Sequence, residues 1–347
     1  MKHKTPAIRW VLYICILVLA LYLIWKTLFL KEGYDTFIPP AGAAEFSRVL
    51  NGNQTKISCA NMNTNWSNLK VKDLCVKASM NTARTGKYMN LQMIQYVLSR
   101  GCRFLDFAVF IKDGKPIVAY SADPDTTGTF DSANSLTLDG VLNTAMGSAF
   151  SSSSNAGFMT PNPRDPLFIQ LRIQSDLNAN TGIFNAVVDS VKKTLKPNLY
   201  TNTDKNTTSS LDPIKVSAAD IKGKIILIID GPSGWVKESP SLAGLCNIVA
   251  NSSKLYSYTT DTLSLMTISP PIVDQTNTMK TNVDVFKLAM PPCDKTNPSK
   301  STFMRNYGTQ ILAYQMNQTA DESLIGYEEM FSKHNAGVMP MAFAVTA

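Results

Sequence analysis

The sequence is poorest in the residues on which much hydrolytic and metal chemistry depends. It holds 2 histidines in 347 residues, His3 and His334. Imidazole is the side chain best suited to taking and returning a proton near neutral pH. A site built on two histidines would therefore have to recruit the one at the extreme amino end. Cysteine is scarce as well, 6 in all with no CxxC and no Cys/His cluster, which argues against the common zinc frameworks. No glycine-rich phosphate loop follows any strand-like run, and that lowers a dinucleotide fold. Nor is there a general charge surplus. Lys2, Lys4, Arg9, Lys26 and Lys31 precede the first acid, Glu32, and account for five of the 33 basic residues, leaving 28 against 26 acidic. Such a balance carries no nucleic-acid footprint.

What is present begins with an apolar run. Trp10 to Trp25, WVLYICILVLALYLIW, has no charge, and the run reaches Leu30 if Lys26 snorkels to an interface. Residues 10–30 are expected to be an uncleaved single-pass membrane anchor, because Lys26 and the bulky TLFL make a poor cleavage site. The basic residues before it place residues 1–9 in the cytoplasm and the remainder on a lumenal, extracellular or particle-interior side. Residues 31–68 are polar and aperiodic and read as a stalk or packed-down lead-in. Beyond the anchor, Asn53, Asn65, Asn206, Asn251 and Asn317 head sequons, glycan acceptors in a secretory compartment. Cys59, Cys75, Cys102, Cys246 and Cys293 leave an odd thiol; Cys75 and Cys102 read as buried free thiols, and a Cys246 to Cys293 bridge is one option.

Residues 69–347 form the body, organised around Val71 to Tyr120. DLCVKAS is a buried strand, and Asn90 caps a helix over 91–100 whose Leu91, Ile94 and Leu98 share a face, with Gly101 placed to end it. RFLDFAVFI, KDGK and PIVAY follow as strand, turn and strand. A helix over 138–149, a long Ser/Asn/Pro-rich loop, the strand PLFIQLRI, the helix GIFNAVVDSVKKTL and the strand IKGKIILIID continue the alternation. Further on, SLAGLCNIVA reads as a helix, TLSLMTI as a strand, YGTQILAYQMN as a strand and SLIGYEEMFSKHNAG as a helix stopped by Gly337. Strands alternating with helices over this length favour a (β/α) barrel.

KASMNTA, SRGCRFLDFAVFIKDGKPIVAY, DPLFIQLRI and IKGKIILI resemble the X region of phosphatidylinositol-specific phospholipase C and the wider phospholipase C-like phosphodiesterase superfamily. The resemblance, with a weaker echo in YGTQILAYQMNQT and HNAGVMP, covers most of residues 69–342. It implies a distorted (β/α)8 TIM barrel with its site at the carboxyl ends of the strands. It also implies two catalytic histidines, but the first position is Met80 and the second falls on Tyr120 or Ser121. The family's calcium would be held at positions occupied here by Asn81, Asp106, Ala108 and Arg172, an arginine standing where an acid belongs. The arginine that replaces the metal in bacterial members would stand at Ala108. No cofactor is therefore expected.

These readings converge on a catalytically inactive member. Its retained role would be binding of a phosphate or phospholipid headgroup, or scaffolding. For binding, Lys77, Arg84, Asp106 and Arg172 form the candidate ligand set, with Tyr88 and Tyr120 lining a cationic mouth. The bland reading pairs Arg172 with Asp106, and such a pair closing the mouth favours a scaffold over a binder. An active hydrolase rebuilt from Asp106, Arg172, Tyr120 and His334 is the enzyme rival. A structural membrane component of a viral or cell-surface assembly is the third alternative.

Overall fold

Six-residue and longer runs such as LCVKAS, FLDFAVFIK, LFIQLRI and IILIID carry few polar groups, so they bury both faces and form adjacent parallel strands. The computed structural model describes residues 39–53, 55–122, 129–153, 157–174, 182–201, 210–261 and 285–346, with Leu17 and Leu19. It divides at Pro39 into two units, Met1–Pro39 and Pro40–Ala347. In the first, Leu17 and Leu19 are helical and exposed. The rest of the expected anchor at 10–30, and His3, lie outside the described residues. Among the described residues no helix is long and apolar enough to cross a membrane.

The second unit is a nearly closed barrel. Its strands are β1 (Leu74–Ser79), β2 (Phe104–Lys112), β3 (Lys115–Ala119), β4 (Leu136–Thr137), β5 (Leu167–Ile173), β6 (Ile225–Asp230), β7 (Ile248–Val249), β8 (Leu255–Thr259), β9 (Phe286–Met290), β10 (Ile311–Tyr314) and β11 (Val338–Pro340). Eight run parallel in the order β7-β6-β5-β2-β1-β10-β9-β8. The hairpin strand β3 pairs antiparallel with β2, through a turn whose Asp113 and Gly114 have φ of 51° and 73°, the pair of left-handed residues a tight hairpin requires. At the amino end of β1, β11 pairs antiparallel with it. Residues 250–254 join β7, which pairs with β6, to β8, which pairs with β9, so the two ends of the strand order meet at this short connection.

The predicted helices over the first 200 residues are present as Leu91–Ser99, Leu138–Ala149 and Gly182–Thr194. Asn90 accepts from the Gln92 amide at 2.8 Å, and Gly101 takes the left-handed φ of 82° that ends the first of them. Asn90→Ala should lower stability by about 1 kcal/mol, read as a shifted denaturant midpoint.

Elsewhere the structure corrects the sequence reading. Pro40–Gly52, expected within an aperiodic lead-in, is a helix that buries Phe46 and Val49 on one face. The Phe46 ring lies edge-on to Tyr96 at 6.4 Å and to Phe158 at 6.0 Å, so tertiary packing supplies the stability that two apolar residues per face do not announce. SLAGLCNIVA is helical only in its first three residues, the end of the short helix Pro240–Ala243; Gly244 follows, and Asn247 bonds the Leu227 amide and the Tyr200 carbonyl to start β7. The late helix, Glu322–Lys333, ends at Asn335 with φ 51°, not at Gly337. Gly337 instead makes a close approach, since a Cβ there would meet the Gly101 carbonyl oxygen at 2.1 Å. Strands β8 and β9 carried no readable signal, and TLSLMTI lies outside the described residues. Cys59, Cys75, Cys102, Cys246 and Cys293 are all free, so the Cys246 to Cys293 bridge is absent.

Candidate functional site

The carboxyl ends of β1, β2, β5, β9 and β10 converge on the barrel mouth. Register sets what meets there: Asp106 lies beside Gln170, and Ala108 beside Arg172. The chain leaves β1 through Met80, whose amide binds the Tyr314 carbonyl, and then Asn81 takes a φ of 43°. Asparagine tolerates that left-handed backbone, which turns its amide inward. The Asn81 amide then donates to Asp106 Oδ2 at 2.9 Å, and Thr82 Oγ1 accepts from the Asp106 amide at 2.9 Å.

Arg172 completes the cluster. Its Nε donates to Asp106 Oδ1 at 2.7 Å and its Nη2 to Asp106 Oδ2 at 2.8 Å, a two-pronged pair. Nη2 also reaches Asn81 Oδ1 at 2.7 Å, while Asn81 Nδ2 donates to Cys293 Sγ at 3.0 Å. Asp106 is 0% exposed and Arg172 9%. Burial alone would lower the Arg172 guanidinium, but the Asp106 charge and hydrogen bonds outweigh it and raise it above its ordinary value. Half-buried Asp230, in register with Arg172, is pushed up by burial against the pull of Arg172, with Asp106 adding to the rise.

The rim is filled as well. Met80, Ala108, Tyr120 and Ser121 are buried. The Arg84 guanidinium lies 3.9 Å from the centre of the Tyr120 ring and donates to the Cys293 carbonyl at 2.8 Å and to Gln315 Oε1 at 3.2 Å. Arg172 and Arg84 thus share the mouth, Arg172 engaged through Nε and Nη2 and Arg84 through Nε and Nη1. Tyr88 contributes its backbone, its amide donating to Glu45 and its carbonyl accepting from the Thr85 amide.

Lys77 is a correction. It does not face the mouth: its Nζ donates to the Arg100 carbonyl at 2.7 Å and lies 3.3 Å from Glu328 Oε1. Strand alternation explains this, because Ala78 and Met80 share one face of β1 and Lys77 the other. Glu328 also pairs with Arg100 at 2.5 Å and accepts from Asn53 Nδ2 at 3.0 Å, so that sequon's amide is buried and engaged.

His334 is likewise absent from the mouth. The helix that precedes it starts beyond the carboxyl end of β10 and finishes just before β11, which pairs with the amino end of β1. The histidine therefore lies at the opposite end of the barrel, stacked on Phe343 at 4.5 Å. The set Asp106, Arg172, Tyr120 and His334 is not brought together. The mouth instead holds Asp230, Cys293 and Gln315, which the sequence does not mark as site residues; of these only Asp230, which closes the IILIID strand, is readable by register.

The oxygen donors do not fit a divalent cation. Calcium takes about six to eight oxygens, whereas both Asp106 oxygens and Asn81 Oδ1 are engaged by one guanidinium. Among the described residues no group of three His, Cys, Asp or Glu side chains is placed to hold a metal. The mouth holds, among the described residues, neither an imidazole nor a metal-ready carboxylate cluster, and it offers guanidinium hydrogen bonds instead.

Comparison with known proteins follows the same lines. Residues 68–230 match the model of the phosphatidylinositol-specific phospholipase C X domain. The fold is similar to the crystal structures of PLC21 from L. pealei (TM-score 0.57, 15% identity) and from S. officinalis (TM-score 0.55, 14% identity). Each similarity covers 79% of this chain but only 37% of the other, so the chain spans well under half the length of those proteins. No curated protein sequence matches it significantly. The X-domain match thus takes in residues 68–230, under half of the chain, and the likeness to the two solved structures shows a shared barrel fold.

Proposed function

We propose that this chain is a non-hydrolytic phospholipase C-like barrel that serves as a scaffold, tethered to a membrane by residues 10–30 with the barrel on the non-cytoplasmic side. One observation carries the reading: the Arg172 guanidinium occupies Asp106 and Asn81, the groups that would otherwise receive a metal. Met80, Tyr120 and Ser121 supply no imidazole, and His334 is at the far end. The uncharged run from Trp10 to Trp25 supports the tether.

Headgroup binding is a second reading, favoured by one detail. Among the described residues Arg172 Nη1 has no acceptor, while Nε and Nη2 are engaged. A phosphate oxygen entering the mouth would find that donor. The test of the main reading is turnover by the full chain in detergent of phosphatidylinositol, a glycosylphosphatidylinositol and a glycerophosphodiester, with calcium or chelator. No product above the blank is expected in any condition; turnover that Asp106→Asn abolishes would overturn it.

A further inference from the structure

The loop after β1 contains a second arrangement of donors, directed away from the mouth. Two consecutive amides converge on the Glu45 carboxylate: Lys87 N–H at 2.9 Å from Oε2 and 3.2 Å from Oε1, and Tyr88 N–H at 3.2 Å from Oε2. The Thr85 hydroxyl adds a third donor at 3.2 Å. Gly86 opens the space: a Cβ there would lie 2.7 Å from Oε2, 2.9 Å from Cδ and 3.0 Å from Oε1. Gly86 is not among the glycines with positive φ, so the backbone does not demand glycine. The carboxylate does.

The barrel, not Glu45, sets the aim of these donors. Arg84 Nε donates to the Gly86 carbonyl at 2.9 Å. Within one peptide plane C=O and N–H point opposite ways, so pinning that carbonyl turns the Lys87 amide outward. Arg84 is itself held by Tyr120, Cys293 and Gln315. The donors therefore keep their geometry when the carboxylate is withdrawn. Successive amides curled around an anion form a nest, an arrangement suited to phosphate as well as carboxylate.

We propose that Thr85–Tyr88 is an oxyanion-binding site for a phosphate group, filled in this structure by Glu45 of the helix Pro40–Gly52 acting as a resident ligand. It goes beyond the scaffold reading and uses none of the mouth residues Asp106, Asn81 or Arg172. Because Glu45 is delivered by the segment between the expected anchor and the barrel, lifting that helix exposes the site.

The experiment is anion rescue in the full chain. Glu45→Ala should melt lower than wild type and recover several degrees in millimolar inorganic phosphate, while wild type shows no such gain. Chloride at matched ionic strength should not rescue. Gly86→Ala in the Glu45→Ala background should abolish the recovery by filling the cradle. If Glu45→Ala does not fold, Glu45→Gln serves, since it keeps the shape and removes the charge that phosphate must displace. Detergent micelles with and without phosphatidic acid form a second arm. Rescue by phosphate alone assigns a soluble ligand, and rescue by phosphatidic acid alone assigns a lipid headgroup; either supports the site. Absence of rescue by both probes, or rescue that survives Gly86→Ala, overturns it.

Discussion

Replacing Glu328 with alanine is expected to destabilise the chain by about 3–5 kcal/mol, read as a fall in the urea midpoint. The carboxylate is 0% exposed and serves three partners at once, Lys77 at 3.3 Å, Arg100 at 2.5 Å and Asn53 at 3.0 Å. Removing it leaves two cations inside the protein, one of them the 2%-exposed Lys77, and an unpaired buried charge is far costlier than a missing surface pair. The same substitution loosens the lead-in, because Arg100 also holds Asn53 Oδ1 and the Thr55 carbonyl. Burial alone would raise the Glu328 carboxyl, but the Lys77 charge and the Arg100 hydrogen bonds outweigh it and hold it below its ordinary value. A carboxyl lowered on folding contributes stability that is fully present above its unfolded value and lost as the pH falls through the folded one. The wild-type chain should therefore weaken as the pH drops below the ordinary glutamate value of about 4.3. Glu328→Gln should be less stable near neutrality and show a flatter profile in that acidic window.

Arg172→Ala is expected to have an effect of similar size, about 3–5 kcal/mol, because it strands the fully buried Asp106. The informative measurement is the double-mutant cycle with Asp106→Asn. Each single change leaves a charge without its partner, whereas the double change removes both. The pair should therefore be less destabilised than the sum of its parts, with a coupling of about 2–3 kcal/mol. A coupling near zero would mean that the fork between the two side chains does not hold the mouth together. Arg172→Lys should not restore the loss, since a single ammonium cannot reproduce two parallel bonds to Asp106 and a third to Asn81.

Much of the barrel is legible in the sequence alone. The buried strands β1, β2, β5 and β6 announce themselves by unbroken apolar runs, and Asn90 and Gly101 mark their helix through local chemistry alone. The expected pairing of Arg172 with Asp106 is present in the structure. Other features failed for physical reasons. Strand β8 is only half buried and its residues alternate weakly, so nothing distinguishes it from loop. Lys77, expected in the mouth, stands on the other face of β1 because the period-two alternation of KASM sets it opposite Met80. The helix Pro40–Gly52 owes its order to Phe46 packing on Tyr96 and Phe158, residues far off in sequence. Glu45, Cys293 and Gln315 reach the site by the same kind of long-range contact, which no local pattern encodes.

The proposal that a built-in guanidinium has taken the place of a metal is tested most directly by calorimetric titration of the wild-type full chain with calcium. With Asp106 and Asn81 already engaged by Arg172, no binding heat is expected up to millimolar calcium, with or without a phosphodiester present. Stoichiometric calcium binding that Asp106→Asn removes would contradict it.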